Sequence, residues 1–312
     1  MSNSTQDVIG IDIGGTRIKA VLVSAAGQIL DKRLEPSVND RAGLCRLVID
    51  MAQSLAPSAT SIGICAPGIA AQDNRSLAWM RGRMQAVEGL PWQEVFPKAW
   101  VLNDAHAATV AEAWIGAARG KSHAVMLTLG TGVGGGVIVS GKLLQGATGR
   151  AGHLGHISIN MDGPPDIVGT PGSLEDIIGD HNVRDRTESQ YSSTLDLIEG
   201  VNRGDPAALK HWHRSVRGLA VGVASLINAF DPEVVVLGGG IAESGATLFD
   251  PLRLELDSIE WRPFGPNVPI VPAQVGELAG ALGAARFAEL STKAGLKDNF
   301  PISVKPQSHG GH

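Results

Sequence analysis

Residues 8–13 form a short apolar run that ends in Gly14-Gly15-Thr16, and 18–23 resumes with β-branched residues. Two such runs around a glycine pair predict a β-hairpin. A third strand is expected around 27–34, and the apolar positions of 44–55 recur at helical spacing. Residues 61–66 read as a buried strand closed by Pro67-Gly68, and 100–102 as a brief strand. The alanine-rich stretch 105–115 has good helix propensity.

The order then repeats in outline. A strand is expected at 124–129, a glycine turn at 130–136 and a strand at 137–140. Much later come a helix at 216–230, the strand 234–237 broken by Gly238-Gly239-Gly240, and a closing helix at 278–290. Two strand–glycine turn–strand units one domain length apart predict an α/β protein of two related domains facing each other across a cleft. The expected division is a small domain at 1–115, a larger one at 116–292 and a tail at 293–312. The final helix is a candidate to pack back on the first domain. The hinge falls in 115–121, where Gly116 and Gly120 flank small residues. Residues 160–188 are polar, rich in glycine and proline and long for a loop, which marks a functional surface.

Hydrophobic content of 43% with 18% charged residues fits a folded globular chain and excludes disorder. The net charge of -5 supplies no basic field, so nucleic acid is not an expected partner. A small anion would have to be held largely by backbone N–H groups. Cys45 and Cys65 form neither a disulfide framework nor a metal spacing, which fits small buried residues in a reducing cytoplasm. The polar start MSNSTQD leads directly into an apolar strand, and no apolar run reaches membrane-spanning length. Neither a signal peptide nor a membrane partner is therefore expected.

Three segments carry candidate chemistry. In Asp12-Ile13-Gly14-Gly15-Thr16-Arg17-Ile18-Lys19, glycines at a strand turn let backbone N–H groups approach a phosphate. Thr16 adds a hydroxyl, and Asp12 suits a hydrated Mg²⁺, which takes only one or two carboxylates. The competing reading is a plain hairpin turn with Lys19 solvated. The second segment, Leu129-Gly130-Thr131-Gly132-Val133-Gly134-Gly135-Gly136, contains a G-x-G-x-x-G match. A β-like run follows it instead of a helix, and no acidic residue stands about twenty positions on, so a dinucleotide fold fits poorly. A phosphate-cradling hairpin fits better, and no P-loop motif is present. The third segment, Asn103-Asp104, precedes a helix, where it reads either as an N-cap or as the carboxylate that accepts a proton from an attacking hydroxyl.

Together these segments resemble the ROK family of sugar kinases, within the actin-like (ribonuclease H-like) ATPase superfamily, from Ile9 to about Leu290. Asp12 to Lys19 is similar to the family's first phosphate motif, Asn103-Asp104 to its catalytic pair, and Leu129 to Gly136 to its second phosphate motif. Val236-Leu237-Gly238-Gly239-Gly240-Ile241 is similar to its adenosine motif. The resemblance implies a cytoplasmic homodimer that uses ATP and Mg²⁺ to phosphorylate a sugar, a hexose C6 hydroxyl being the expected acceptor. Asp104 is then the general base, and Asn103, His153, His156 and Glu175 line the sugar. Gly14, Gly15, Thr16, Lys19, Gly130, Thr131, Gly132 and Gly134 hold phosphates, and Gly238, Gly239 and Gly240 border adenosine.

The chain departs from the family at two places. Where the family has Gly-Glu-x-Gly-His, this sequence has Gly152-His153-Leu154-Gly155-His156. An imidazole offers one donor and one acceptor where a carboxylate only accepts, so the hydroxyl pattern that fits should change; the bland alternative is that His153 packs in the wall. The family's zinc motif aligns with 166–175, but its cysteines are replaced by Asp166, Val168 and Ser173, while Gly169, Gly172 and Glu175 remain. A Cys₃His zinc site cannot form without thiolates, so no structural zinc is expected. His156 must then be oriented by another group, such as a carboxylate or carbonyl on one ring nitrogen.

His106, His123, His181, His211 and His213 read as surface or satisfied core residues, and Arg81 and Arg83 as solvated charges. Family repressors carry a DNA-binding helix-turn-helix ahead of the kinase-like part, for which a first strand at Val8 leaves no room. A catalytically silent sugar sensor is the remaining alternative, a nicotinamide dehydrogenase the third. Several hexoses and N-acetylated hexosamines fit as acceptors, and polyphosphate is the alternative donor to ATP.

Overall fold

The computed structural model describes residues 7–57, 61–80 and 84–294. Arg81, Arg83 and the tail histidines, His309 and His312, lie outside the described residues.

Alternation of apolar residues about the Gly14-Gly15 turn pairs β1 (Val8–Ile13) antiparallel with β2 (Arg17–Val23), from Val8 opposite Val23 to Ile13 opposite Ile18. β3 (Ile29–Pro36) extends this meander as a largely exposed edge. Helix α1 (Arg41–Leu55), capped by the Asp40 carboxylate on Gly43 N, leads to β4 (Ser61–Ala66), which runs parallel to β1. A short hairpin of β5 (Ile69–Ala70) and β6 (Leu77–Trp79) follows. Strand β7 (Lys98–Asn103) then runs parallel to β4 and delivers the chain to α2 (Asp104–Ile115). The sheet order is β3-β2-β1-β4-β7. Its central strands are apolar nearly throughout, as strands covered on both faces must be.

The second half begins with β8 (Ala124–Leu129), β9 (Val133–Val139) and β10 (Lys142–Leu143). Helices α3 (Leu174–Ile178), α4 (Val183–Arg186), α5 (Thr194–Asn202) and α6 (Pro206–Phe230) come next. They are followed by β11 (Val234–Gly238), α7 (Ala246–Ile259), β12 (Ile270–Pro272) and α8 (Ala279–Ala294). Here the order is β10-β9-β8-β11-β12, with β11 parallel to both β8 and β12.

The chain divides into two compact units, one of 1–122, 138–151 and 274–312, the other of 123–137 and 152–273. The units depart from a division at 115/116 in that 116–122 and 138–151 also join the first. As expected for the final helix, α8 packs on β1, β4 and α2. Its small residues allow that contact to be backbone on backbone. A Cβ on Gly10 would overlap the Ala281 carbonyl oxygen, and one on Gly63 the Ala284 carbonyl oxygen.

Other differences are local. The expected turn at 130–136 is shorter, since β9 begins at Val133 and takes in Gly134 to Gly136. Helix α6 starts well before 216, at Pro206, with Asp205 capping Ala207 N. The stretch 160–188 contains α3 and α4, too short to show helical periodicity. No described helix is long and apolar enough to cross a membrane.

Candidate active site

In the first unit, strand register places Asp12 directly opposite Lys19 on one face of the β1–β2 pair. The Cys65 thiol, from the neighbouring β4, lies 3.6 Å from Asp12 Oδ1. Burial raises the Asp12 carboxyl to about 6, and the Asp104 carboxylate adds to the rise; Lys19 and Cys65 pull the other way. Burial also pushes the Cys65 thiol well up, with Asp12 and Asp104 reinforcing it, so Cys65 stays a protonated donor. Lys19 Nζ is anchored on the Glu277 carbonyl at 2.7 Å.

Asp104 opens α2, and Asn103 is the N-cap: its Oδ1 accepts from Ala105 N at 2.9 Å and His106 N at 3.1 Å. Asn103 Nδ2 donates to Gly68 O at 2.9 Å, which fixes the side chain from both ends. The capping role foreseen for the pair is thus carried by Asn103, and Asp104 is not needed for it. Burial raises Asp104, while the N–H of Ala105, 2.8 Å from Oδ1, opposes that rise. The first glycine turn is closed by Gly14 N donating to Arg17 O at 3.1 Å, with Gly15 and Thr16 exposed at its tip.

In the second unit, Gly130 N donates to Gly132 O at 3.0 Å and closes the other glycine turn. Three groups hold that turn from below. Glu175 Oε2 accepts from Val133 N at 2.9 Å. Asp180 N donates to Gly130 O, and His181 N to Thr131 O, each at 2.9 Å. His181 Nδ1 also lies 2.9 Å from Thr131 O, and its Nε2 2.9 Å from Asp176 Oδ1. The adenosine-like loop leans on the same strand end: Ile241 N donates to Leu129 O at 3.1 Å, and Gly239 has φ +85, where a Cβ would overlap that oxygen. Gly134 lies in β9, beside the turn.

His153 precedes and His156 ends a 3₁₀ turn at 154–156. A Cβ on Gly155 would overlap Val133 O, so the turn is pressed onto the start of β9. Burial lowers His153, and the neighbouring His156 adds to this, which keeps it a neutral imidazole. His156 Nδ1 lies 2.8 Å from Asp166 Oδ2. Where the zinc motif would place thiolates there are Asp166, a donorless Val168, and Ser173, whose hydroxyl caps α3 by accepting from Asp176 N at 3.3 Å. This donor set does not fit a tetrahedral thiolate site.

Each unit therefore assembles its own set. Asp12, Lys19, Asn103 and Asp104 come together in the first; the second glycine turn, Glu175, His153, His156 and the 238–240 loop in the second. The carboxylate expected on a ring nitrogen of His156 is Asp166, which stands at a vacated zinc-ligand position. Sequence reasoning missed Cys65 and the clamp of His181 on Thr131. His106, by contrast, is a satisfied core residue, its Nε2 2.8 Å from Ala151 O.

The ROK family profile matches residues 8–290. A glucokinase from Thermotoga maritima is 33% identical over 310 residues, covering 89% of this chain and 96% of its own. An N-acetylmannosamine kinase from Escherichia fergusonii is 30% identical, covering 90% and 98%. A ROK family glucokinase from Streptomyces griseus, solved with glucose and AMPPNP, superposes with a TM-score of 0.75 at 27% identity, covering 91% of this chain and all of its own.

Proposed function

Because the chain belongs to the ROK family and is an ATP-dependent sugar kinase of actin-like α/β fold, we propose that it transfers the γ-phosphoryl group of ATP to a hexose C6 hydroxyl, with Asp104 as general base. The observation that carries this reading is the raised, desolvated Asp104 carboxylate at the start of α2, freed from capping by Asn103. A carboxyl pushed upward by burial is a better proton acceptor near neutral pH than an ordinary one. It takes the hydroxyl proton as the oxygen attacks phosphorus.

Asn103 borders the sugar with its oxygen and one amide hydrogen committed, and its side chain also hydrogen-bonds the Asp104 carboxyl, so it positions the base. Glu175 has one oxygen on Val133 N and offers Oε1 to a sugar hydroxyl. His153 and His156 complete the sugar contacts. Gly14 and Gly130 use their N–H groups to close the turns, so the tip amides of Gly15, Thr16, Thr131 and Gly132 are the phosphate donors, with Gly134 beside them. Lys19 adds charge, and Gly238 to Gly240 border adenosine.

Asp12 fits Mg²⁺ as a half-buried carboxylate, since a hydrated Mg²⁺ that keeps waters and phosphate oxygens usually takes one or two carboxylates from the protein. Such an ion would neutralise charge on the β- and γ-phosphates. On the same reading the enzyme is a cytoplasmic homodimer that binds neither nucleic acid nor membrane and needs no zinc.

Asp104→Asn tests the base. Its kcat on the best hexose, followed by ADP release, is expected to fall by about 10²–10⁴-fold with sugar binding retained. Wild-type turnover would refute the assignment.

A further inference from the structure

The loop that meets His156 is built on one carboxylate. The Asp166 side chain is 0% exposed. Its Oδ1 accepts from Val168 N at 2.9 Å and Thr170 N at 2.8 Å, and Oδ2 meets His156 Nδ1 at 2.8 Å. Burial opposes ionisation of this carboxyl, but the bonds from His156, Thr170 N and Val168 N outweigh it and hold it below its ordinary value. An ionised carboxylate has no proton to donate, so the hydrogen in the Asp166–His156 bond sits on Nδ1. A neutral imidazole so held has Nε2 as its acceptor.

We propose that Asp166 is a positioning residue that fixes the ring and tautomer of His156, so that Nε2 accepts a hydrogen bond from a donating sugar hydroxyl. This rests on the reading of His156 as a sugar ligand. It replaces the clamp a metal ion would provide with an ion-free one made by this chain alone. It also gives the sugar site a polarity: at this position the acceptor must carry a free hydroxyl, and a deoxy or O-methyl analogue loses the bond.

Asp166→Asn separates the two jobs of the side chain. Its Oδ1 retains the Val168 and Thr170 N–H groups, but an amide NH₂ now faces Nδ1. Nδ1 must then accept, and the imidazole proton moves to Nε2. ¹⁵N NMR of histidine-labelled protein is expected to show Nδ1–H in the wild type and Nε2–H in Asp166→Asn. The sugar KM should rise about tenfold, the loss of one hydrogen bond to a neutral partner. In a His156→Ala background, Asp166→Asn should add less than twofold.

An unchanged tautomer would overturn the proposal. So would a KM penalty that persists in the His156→Ala background, which would mean that Asp166 acts only through its loop. If His156→Ala alone keeps the wild-type sugar KM while Asp166→Asn still switches the tautomer, the reading of His156 as a sugar ligand fails instead. Asp166→Ser, which keeps an oxygen for the loop amides and none for Nδ1, provides the same comparison should Asp166→Asn not fold.

Discussion

Asp12, the proposed Mg²⁺ ligand, works against the fold that holds it. Lys19 stands opposite it and Cys65 donates to it, yet burial and the nearby Asp104 prevail and the carboxyl rises to about 6. A carboxyl raised above its ordinary 3.8 binds its proton more tightly in the folded state. The stability it contributes is complete below that ordinary value and is lost as pH climbs through about 6. A rise of this size corresponds to about 3 kcal/mol between the two limits. Asp12→Asn is therefore expected to raise the Tm at pH 8 and leave it nearly unchanged at pH 4, in calorimetry without ligands, while kinase activity falls. An equal gain at both pH values would show that desolvated charge is not the source. Asp12 was legible in the sequence because it abuts a glycine turn. Cys65 was not, because its relevance depends on β4 lying beside β1, which no local pattern states.

At the scale of elements, local pattern was most readable where burial is two-sided. The strands at 61–66 and 124–129 were expected with the bounds they have, since each is an unbroken apolar run. Helices α5 and α7 and strand β12 carried no comparable signal, and the short α3 owes its position to the Ser173 cap rather than to periodicity. The packing of α8 on the first sheet depends on glycines in β1 and β4 that read from the sequence only as breaks in apolar runs. A methyl at Gly63 has no side chain to displace, because the nearest atoms are the backbone of Ala284 and Ala285. Gly63→Ala should accordingly cost about 3 kcal/mol, at the upper end for overpacking, read as a lowered urea midpoint. An unchanged midpoint would mean that α8 shifts away freely.

The first unit is closed by a residue that composition would dismiss. Glu112 lies in an alanine-rich helix, where an isolated carboxylate reads as a solvated charge, yet it is 1% exposed. Its Oε2 accepts from Ala117 N at 2.7 Å, and its Oε1 from Gln274 N and Val275 N, both at 2.8 Å. Those amides flank the first departure of the chain from this unit, after Ser122, and its final return at Gln274. One carboxylate thus ties the end of α2 to backbone that begins 162 residues beyond Glu112, too far for any pattern to reveal. Three backbone donors suit an acceptor-only group, and an amide in its place would turn one donor against Ala117 N–H. Glu112→Gln is expected to destabilise the first unit by about 2–3 kcal/mol, the loss of bonds to a charged acceptor plus one buried donor left unmet. Hydrogen exchange should locate the loss, with the amides of Ala117, Gln274 and Val275 exchanging faster and those of β11 unchanged. Faster exchange spread evenly over both units would show that Glu112 acts on global stability and not on these two crossings.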